Sequence, residues 1–149
     1  MSVRDVLIIG AGPWGLSAAI AAKQRGLDYQ VIEQGTLVNS IFHFPPQMVF
    51  FTTPELLEIG GLPFISPFVK PTPAEALKYY RKVVDVFDLQ ITYEEKVLTV
   101  TAVPQEAVGG RFKAVMNCVE RAQCAGGEAV AQDFAFMRRR SCYDRARLR

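Results

Sequence analysis

The sequence predicts an α/β fold built on a parallel sheet, and three observations carry that reading. Val3–Ile9 is a short apolar run that ends in glycine, the pattern of a buried strand. Pro13–Gln24 has small apolar residues at helical spacing, with a proline in its first turn. Asp28–Glu33 then returns as a second strand around Tyr29-Gln30-Val31-Ile32. Strand, helix and strand within about 30 residues form the unit from which parallel sheets are built.

The turn between the first strand and the helix carries the chemistry. It reads Gly10-Ala11-Gly12-Pro13-Trp14-Gly15, and an acid, Glu33, closes the next strand 18 residues after Gly15. A bare G-x-G-x-x-G says little, but here it leaves a strand and opens a helix, which is the dinucleotide-binding context. Gly10 permits the tight turn, Gly12 lets backbone approach a pyrophosphate, and Gly15 lets the helix pack closely on the strand. The free N–H groups at the helix start meet negative phosphate. Glu33 can accept hydrogen bonds from the two ribose hydroxyls of an adenosine. A carboxylate there disfavours a 2′-phosphate, so NADP is not expected at this site, while FAD and NAD both remain open. The expectation is therefore a Rossmann-like three-layer FAD/NAD(P)-binding domain.

The following segments are less regular. Residues 34–72 are rich in proline and aromatic residues and read as mostly loop, with an extended piece at Met48–Thr52. Long loops in compact domains are usually functional. Thr72–Asp88 is a helix, with Thr72 as its cap, Pro73 at its first position and Glu75 three residues after the cap. Leu89–Tyr93, Lys96–Val103 and Arg111–Met116 read as short strands, and no strand or helix signal follows Met116.

Single residues have bland readings beside the functional ones. Trp14 either stacks near a ligand or packs on a neighbouring loop, and packing is the expected role because aromatic side chains mostly contribute burial. The sole histidine, His43, lies between Phe42 and Phe44 and reads as structural. Asn39 and Ser40 either return over the phosphates or ribose, or cap their own loop. Thr52 either places a hydroxyl near a ring system or caps the turn at Pro54. Ala11, Pro13 and Gln34 complete the candidate cofactor-binding set as neighbours within the turn and strand end. No side chain stands out as acid, base or nucleophile.

Composition narrows the function classes. The chain has 149 residues and a formal charge of +2, with three cysteines. No apolar run approaches the length of a membrane-spanning helix. The cysteines form no C-x-x-C, so neither a dithiol pair nor a zinc site is indicated. Scattered thiols and the absence of a secretory signal point to the cytoplasm. The charge is unevenly placed. Residues 1–116 hold 10 basic and 11 acidic residues, whereas residues 117–149 hold 7 arginines against 4 acids and all three cysteines. The basic end, including Arg138-Arg139-Arg140, has no accompanying nucleic-acid motif, so nucleic acid is not an expected partner.

Several stretches resemble one family. They are Ile8–Ile20, Val31-Ile32-Glu33-Gln34-Gly35, Val38-Asn39-Ser40-Ile41, Phe50–Gly60, Lys70-Pro71-Thr72 and Ala76–Arg81. Together they are similar to FAD-dependent pyridine nucleotide-disulfide oxidoreductases, specifically thioredoxin-reductase-like proteins of the bacillithiol disulfide reductase (YpdA) group. The resemblance covers residues 3–116, and its glycine turn is shared with flavin monooxygenases. It implies a flavoprotein that passes electrons from NAD(P)H through FAD to a low-molecular-weight disulfide or similar acceptor. It places the ADP half of FAD on Gly10, Gly12, Gly15 and Glu33, the flavin end toward Asn39 and Ser40, and adenine near the backbone of Val97. Homo-oligomers occur among its full-length members.

There are departures from that family. Its members can carry cysteine where this chain has Trp14. They also continue into a second G-x-G-x-x-G domain for NAD(P)H and an Ala-Thr-Gly strand end, which this sequence lacks. Residues 1–116 are accordingly expected to be a partial FAD-binding domain. Residues 117–149 are expected to be an atypical tail, disordered or a frameshifted reading. The alternatives are a flavin-dependent monooxygenase and an inert dinucleotide-binding fragment.

Overall fold

The computed structural model describes residues 4–103, 111–118 and 130–135. Its first unit is strand β1 (Val6–Ile9), helix α1 (Pro13–Gln24) and strand β2 (Tyr29–Ile32). β1 and β2 run parallel in the register Val6↔Tyr29 to Ile9↔Ile32. The first strand starts later than its β-branched run suggests. The amides of Asp5 and Val6 both turn to Asp28 O instead. Helix α1 buries Leu16, Ala19, Ile20 and Ala22, and these mostly small side chains bring it close to the sheet. Its end is closed as Gly26 (φ +67°) donates to Lys23 O and Leu27 donates to Ala22 O.

Helix α2 (Asn39–Phe42) and a 3₁₀ turn (Pro54–Leu57) punctuate the proline-rich segment, which the sequence suggested was loop. No strand forms over Met48–Thr52. Among the described residues its one backbone bond to a distant segment is Phe50 N donating to Pro71 O at 2.9 Å. The segment is held down by two tyrosines of helix α3 (Pro73–Phe87). Tyr79 Oη accepts from Ile59 N at 2.8 Å and donates to Leu62 O at 2.8 Å. Tyr80, fully buried, donates to Leu57 O at 3.1 Å. Phe64 stacks on Tyr79 with centroids 4.5 Å apart. Loop carbonyls without strand partners thus find hydroxyls, as buried backbone must. α3 itself begins with the predicted capping box of Thr72 and Glu75.

Strand β3 (Ile91–Thr92) is only two residues long and extends the parallel sheet in the order β1-β2-β3. Because both crossovers are parallel, α1 and α3 run opposite to the strands. The N-termini of both helices therefore lie at the carboxyl end of the sheet, where open α/β sheets bind ligands. The core is Ile8, Val31, Leu16, Ala19, Ala76, Tyr80 and Val83, where sheet meets helices.

The later strands follow the expected Lys96–Val103 and Arg111–Met116 closely, with one strand added beyond them. β4 (Glu95–Val103), β5 (Arg111–Cys118) and β6 (Val130–Ala135) form a separate antiparallel sheet. β4 approaches β2, and β6 approaches β1. β6 lies within the stretch expected to be an unstructured tail. It pairs with β5 from Arg111↔Ala135 to Met116↔Val130. Its residues, Val-Ala-Gln-Asp-Phe-Ala, lack strict alternation, so it is recognised only through its partner. Cys124, Cys142 and the terminal arginines lie outside the described residues.

Candidate dinucleotide site

The site begins where β1 ends. Gly10 has φ +99°, and its amide donates to Ile32 O at 2.7 Å, so the chain turns sharply while still tied to β2. A Cβ on Gly15 would lie 1.9 Å from Gly10 O, a distance no side chain tolerates. Gly12 caps α1 with extended backbone (φ −76°), and a Cβ there would meet nothing within 4 Å. Two of the glycines therefore answer to the protein's own packing and backbone, while Gly12 borders open space.

That space is a cleft of about 210 Å³ at the sheet's carboxyl end. Gly10, Gly12, Pro13, Glu33, Gln34, Asn39 and Ser40, all candidates from the sequence, line it together. Ala11 is fully buried and contributes its backbone. Glu33 is also buried. Its Oε2 accepts from Ala11 N at 2.7 Å, and its Oε1 accepts from Gly35 N at 2.9 Å. A buried carboxylate so held is fixed in place, and each oxygen keeps a lone pair for a further donor.

Asn39 caps its own loop and also borders the cleft, with its Oδ1 accepting from Thr36 N at 3.3 Å. His43 is exposed, and its Nδ1 lies 2.8 Å from Asn39 O at the end of α2, a structural position.

Three candidates stand elsewhere. Trp14 does not pack on a loop, contrary to expectation. It is 90% exposed, because it sits about 200° around the helix from the buried Leu16. Val97 lies in β4 opposite Met116, next to a register irregularity, and is not part of the cleft lining. Thr52 is also outside the lining, and its Oγ1 is buried without a hydrogen-bond partner.

Val38 and Ile41 also line the cleft, and sequence reasoning missed them. Val38 adopts the left-handed conformation (φ 46°, ψ 48°), which is rare for a β-branched residue. It is held there because its amide donates to Ala11 O at 3.1 Å and its side chain is buried. Tyr93, just after β3, is not part of the lining. Burial pushes its phenol pKa up, and the carboxylates of Glu33 and Asp85 add to the shift. Among the described residues no cluster of His, Cys, Asp and Glu could hold a metal ion, and no helix is long and apolar enough to cross a membrane.

The chain is similar in sequence and in fold to known proteins. Residues 7–108 match the family model described as pyridine nucleotide-disulphide oxidoreductase. The chain belongs to that family. A curated relative, the bacilliredoxin reductase Bdr of Bacillus subtilis (strain 168), is 51% identical over 84 residues, which is 56% of this chain and 26% of the relative. The solved bacillithiol disulfide reductase Bdr (YpdA) from Staphylococcus aureus is 34% identical with a TM-score of 0.73, over 91% of this chain and 36% of that one. A flavin monooxygenase from Stenotrophomonas maltophilia, as a Q193R H194T mutant, has a TM-score of 0.72 at 22% identity, over 91% of this chain and 37% of that one, and so shares the fold. The chain thus spans about a quarter of the length of the curated relative and a little over a third of these solved structures.

Proposed function

We propose that this chain is the FAD-binding part of an NAD(P)H-dependent flavoprotein oxidoreductase whose acceptor is a low-molecular-weight disulfide. The observation that carries the reading is Glu33, clamped to the Gly10–Gly15 turn through Ala11 N, bordering with that turn one open cleft. The identity to disulfide reductases, against fold-level likeness alone to the monooxygenase, favours the disulfide over oxygen as acceptor.

The residues fit the ADP half of FAD. The bare backbone at Gly12 leaves room that a Cβ would occupy, and the amides at the start of α1 suit a pyrophosphate. Glu33 suits ribose hydroxyls, with Gln34 and Pro13 lining that end and Ala11 holding Glu33 through its amide, while Trp14 is exposed outside the cleft. Asn39 and Ser40 border the path onward, and the backbone of Val97 is assigned to adenine. When bound, FAD supplies the transfer of reducing equivalents from NAD(P)H to the acceptor. The chain's own residues bind and orient it, and Glu33 excludes a 2′-phosphate by charge and by being unable to swing away. Residues 1–116 hold this partial domain, and the atypical stretch 117–149 adds β6 to its antiparallel sheet. The setting is cytoplasmic, and homo-oligomers are expected of full-length members.

Titration of the purified 149-residue chain with FAD, followed by flavin fluorescence and competed with ADP, tests this. Uptake of FAD that ADP displaces is the expected result. A chain that binds neither FAD nor ADP is an inert fragment, and the reading is then wrong.

A further inference from the structure

The loop that leads into α3 is firmly held, yet it turns apolar side chains to water. Phe64 is buried and stacks on Tyr79, and its amide donates to Glu58 Oε1 at 2.9 Å. Ser66 Oγ donates to Glu75 Oε1 at 2.8 Å and accepts from Phe68 N at 3.1 Å. Between these ties Ile65 is 90% exposed, and Phe68 and Val69 follow at 60% and 79%. Adjoining apolar side chains displayed by a tethered loop mark a contact surface.

Pro63, Phe64 and Ile65 line both of two adjoining hollows and so form a ridge between them. The larger hollow, about 430 Å³, has apolar walls that include Pro54, Phe68 and Val69, and it carries Glu55 and Glu58. The smaller, about 220 Å³, lies against α3 and carries Lys78 and Lys82, one helical turn apart. Among the described residues the ion pairs are Arg4–Asp28 and Lys23–Asp88, so none of these four charges is paired. Glu75, which also lines the smaller hollow, is held by Thr72 and Ser66. Glu58 is engaged by Phe64 N, and Lys78 lies in the field of Glu75. That leaves Glu55 and Lys82, both exposed and on opposite sides of the ridge, for an outside partner.

Such a surface complements itself. A two-fold axis between the ridge and the larger hollow sets Ile65 of each copy into the hollow of the other, and the same rotation carries Lys82 of each toward Glu55 of the other. We infer that this face pairs two copies of the chain, with Ile65 as the knob and Glu55 with Lys82 as reciprocal ion pairs at the rim. An anionic lipid surface suits it less, because the carboxylates of Glu55 and Glu58 beside the ridge are repelled by it. The pairing gives a surface to the homo-oligomers expected above. It needs no cofactor, so it stands apart from the FAD reading.

Sedimentation of the 149-residue chain over a range of concentrations tests this, with far-UV circular dichroism as the check of folding. The wild-type chain passes reversibly from monomer to dimer. Ile65→Asp carries a charge into the apolar hollow and weakens the dimer at least ~30-fold. Glu55→Lys and Lys82→Glu each set like charges opposite one another twice, and each weakens it ~10-fold. The double variant Glu55→Lys/Lys82→Glu returns to within ~3-fold of wild type. An equal mixture of the two single variants forms a heterodimer of similar strength, because each supplies the charge that the other needs. A merely structural role restores nothing on mixing. If Ile65→Asp loses its folded spectrum, the charge variants and their mixture decide. A chain that stays monomeric at every concentration overturns the proposal. So does a dimer that Ile65→Asp leaves intact, or charge reversals that neither the double variant nor the mixture rescues. A wild-type monomer that instead co-sediments with phosphatidylserine vesicles assigns the face to a membrane and overturns the pairing as well.

Discussion

Glu33 Oε2 accepts a hydrogen bond from Ala11 N at 2.7 Å, across 22 residues of sequence and inside the protein. The acid that closes β2 thus holds the glycine turn that opens α1, before any ligand is present. Ala11 O in turn accepts from Val38 N at 3.1 Å, so one buried residue links the turn, the acid and the start of α2. Glu33→Ala leaves two amides, those of Ala11 and Gly35, without their acceptor. We expect a loss of about 2 kcal/mol or more in the ligand-free chain, read by urea denaturation. An unchanged midpoint would mean that the clamp adds nothing to the fold.

The glycines of the turn separate into two kinds. Gly15→Ala drives a Cβ into Gly10 O, where both partners are backbone and neither yields. It is expected to cost more than about 3 kcal/mol or to abolish folding, as strong overpacking does. Gly12→Ala meets nothing in the empty protein, so its stability should stay within about 1 kcal/mol of wild type. Its Cβ instead enters the cleft, and ADP affinity should fall at least ~10-fold. Circular dichroism melts beside ADP calorimetry distinguish the two. Equal destabilisation by both variants would contradict the assignment.

The βαβ unit and α3 were legible because their signals are local: a glycine turn, a capping box and apolar residues at helical spacing. The place of Glu33 at the end of β2, beside the cleft, was legible for the same reason. Its clamp on Ala11 was not, since that contact depends on how β2 lies beside β1. Val38 was hidden because valine argues against left-handed backbone, and only tertiary bonds hold it there. β3 was expected as one of a run of short strands, but its two residues join β2 in parallel, a long-range pairing with no local mark. Trp14 was misjudged because the motif places it at the helix start, and its direction follows from which face α1 buries.

Tyr80 ties α3 to the 3₁₀ turn through Leu57 O, and burial pushes its phenol pKa up to about 12. The folded value is raised, so its stability is complete below the unfolded value near 10 and is lost as pH rises toward 12. Tyr80→Phe removes the hydrogen bond at a cost of about 1 kcal/mol at neutral pH. It should also flatten the alkaline fall in melting temperature between pH 10 and 12. If both proteins lose stability equally over that range, another group is responsible.

The cap of α3 predicts an acid limb of opposite sign. Glu75 Oε2 accepts from Thr72 N at 2.8 Å and from Thr72 Oγ1 at 2.8 Å, and Ser66 Oγ donates to Oε1 at 2.8 Å. The Thr72 amide is the main cause that holds this carboxyl below its ordinary value of 4.5, partly opposed by desolvation. A depressed folded value means the stabilisation is present above the unfolded value and is lost as pH falls through the folded one. Glu75→Gln should therefore lower the melting temperature at pH 7 and converge with wild type as pH drops below about 4. Thr72→Ala removes the hydroxyl that accepts from Glu75 N at 3.3 Å, which should cost about 1 kcal/mol across that range. Melting curves of both variants from pH 3 to 7 check this. A Glu75→Gln deficit that persists unchanged into acid would show that the side chain acts through shape rather than charge.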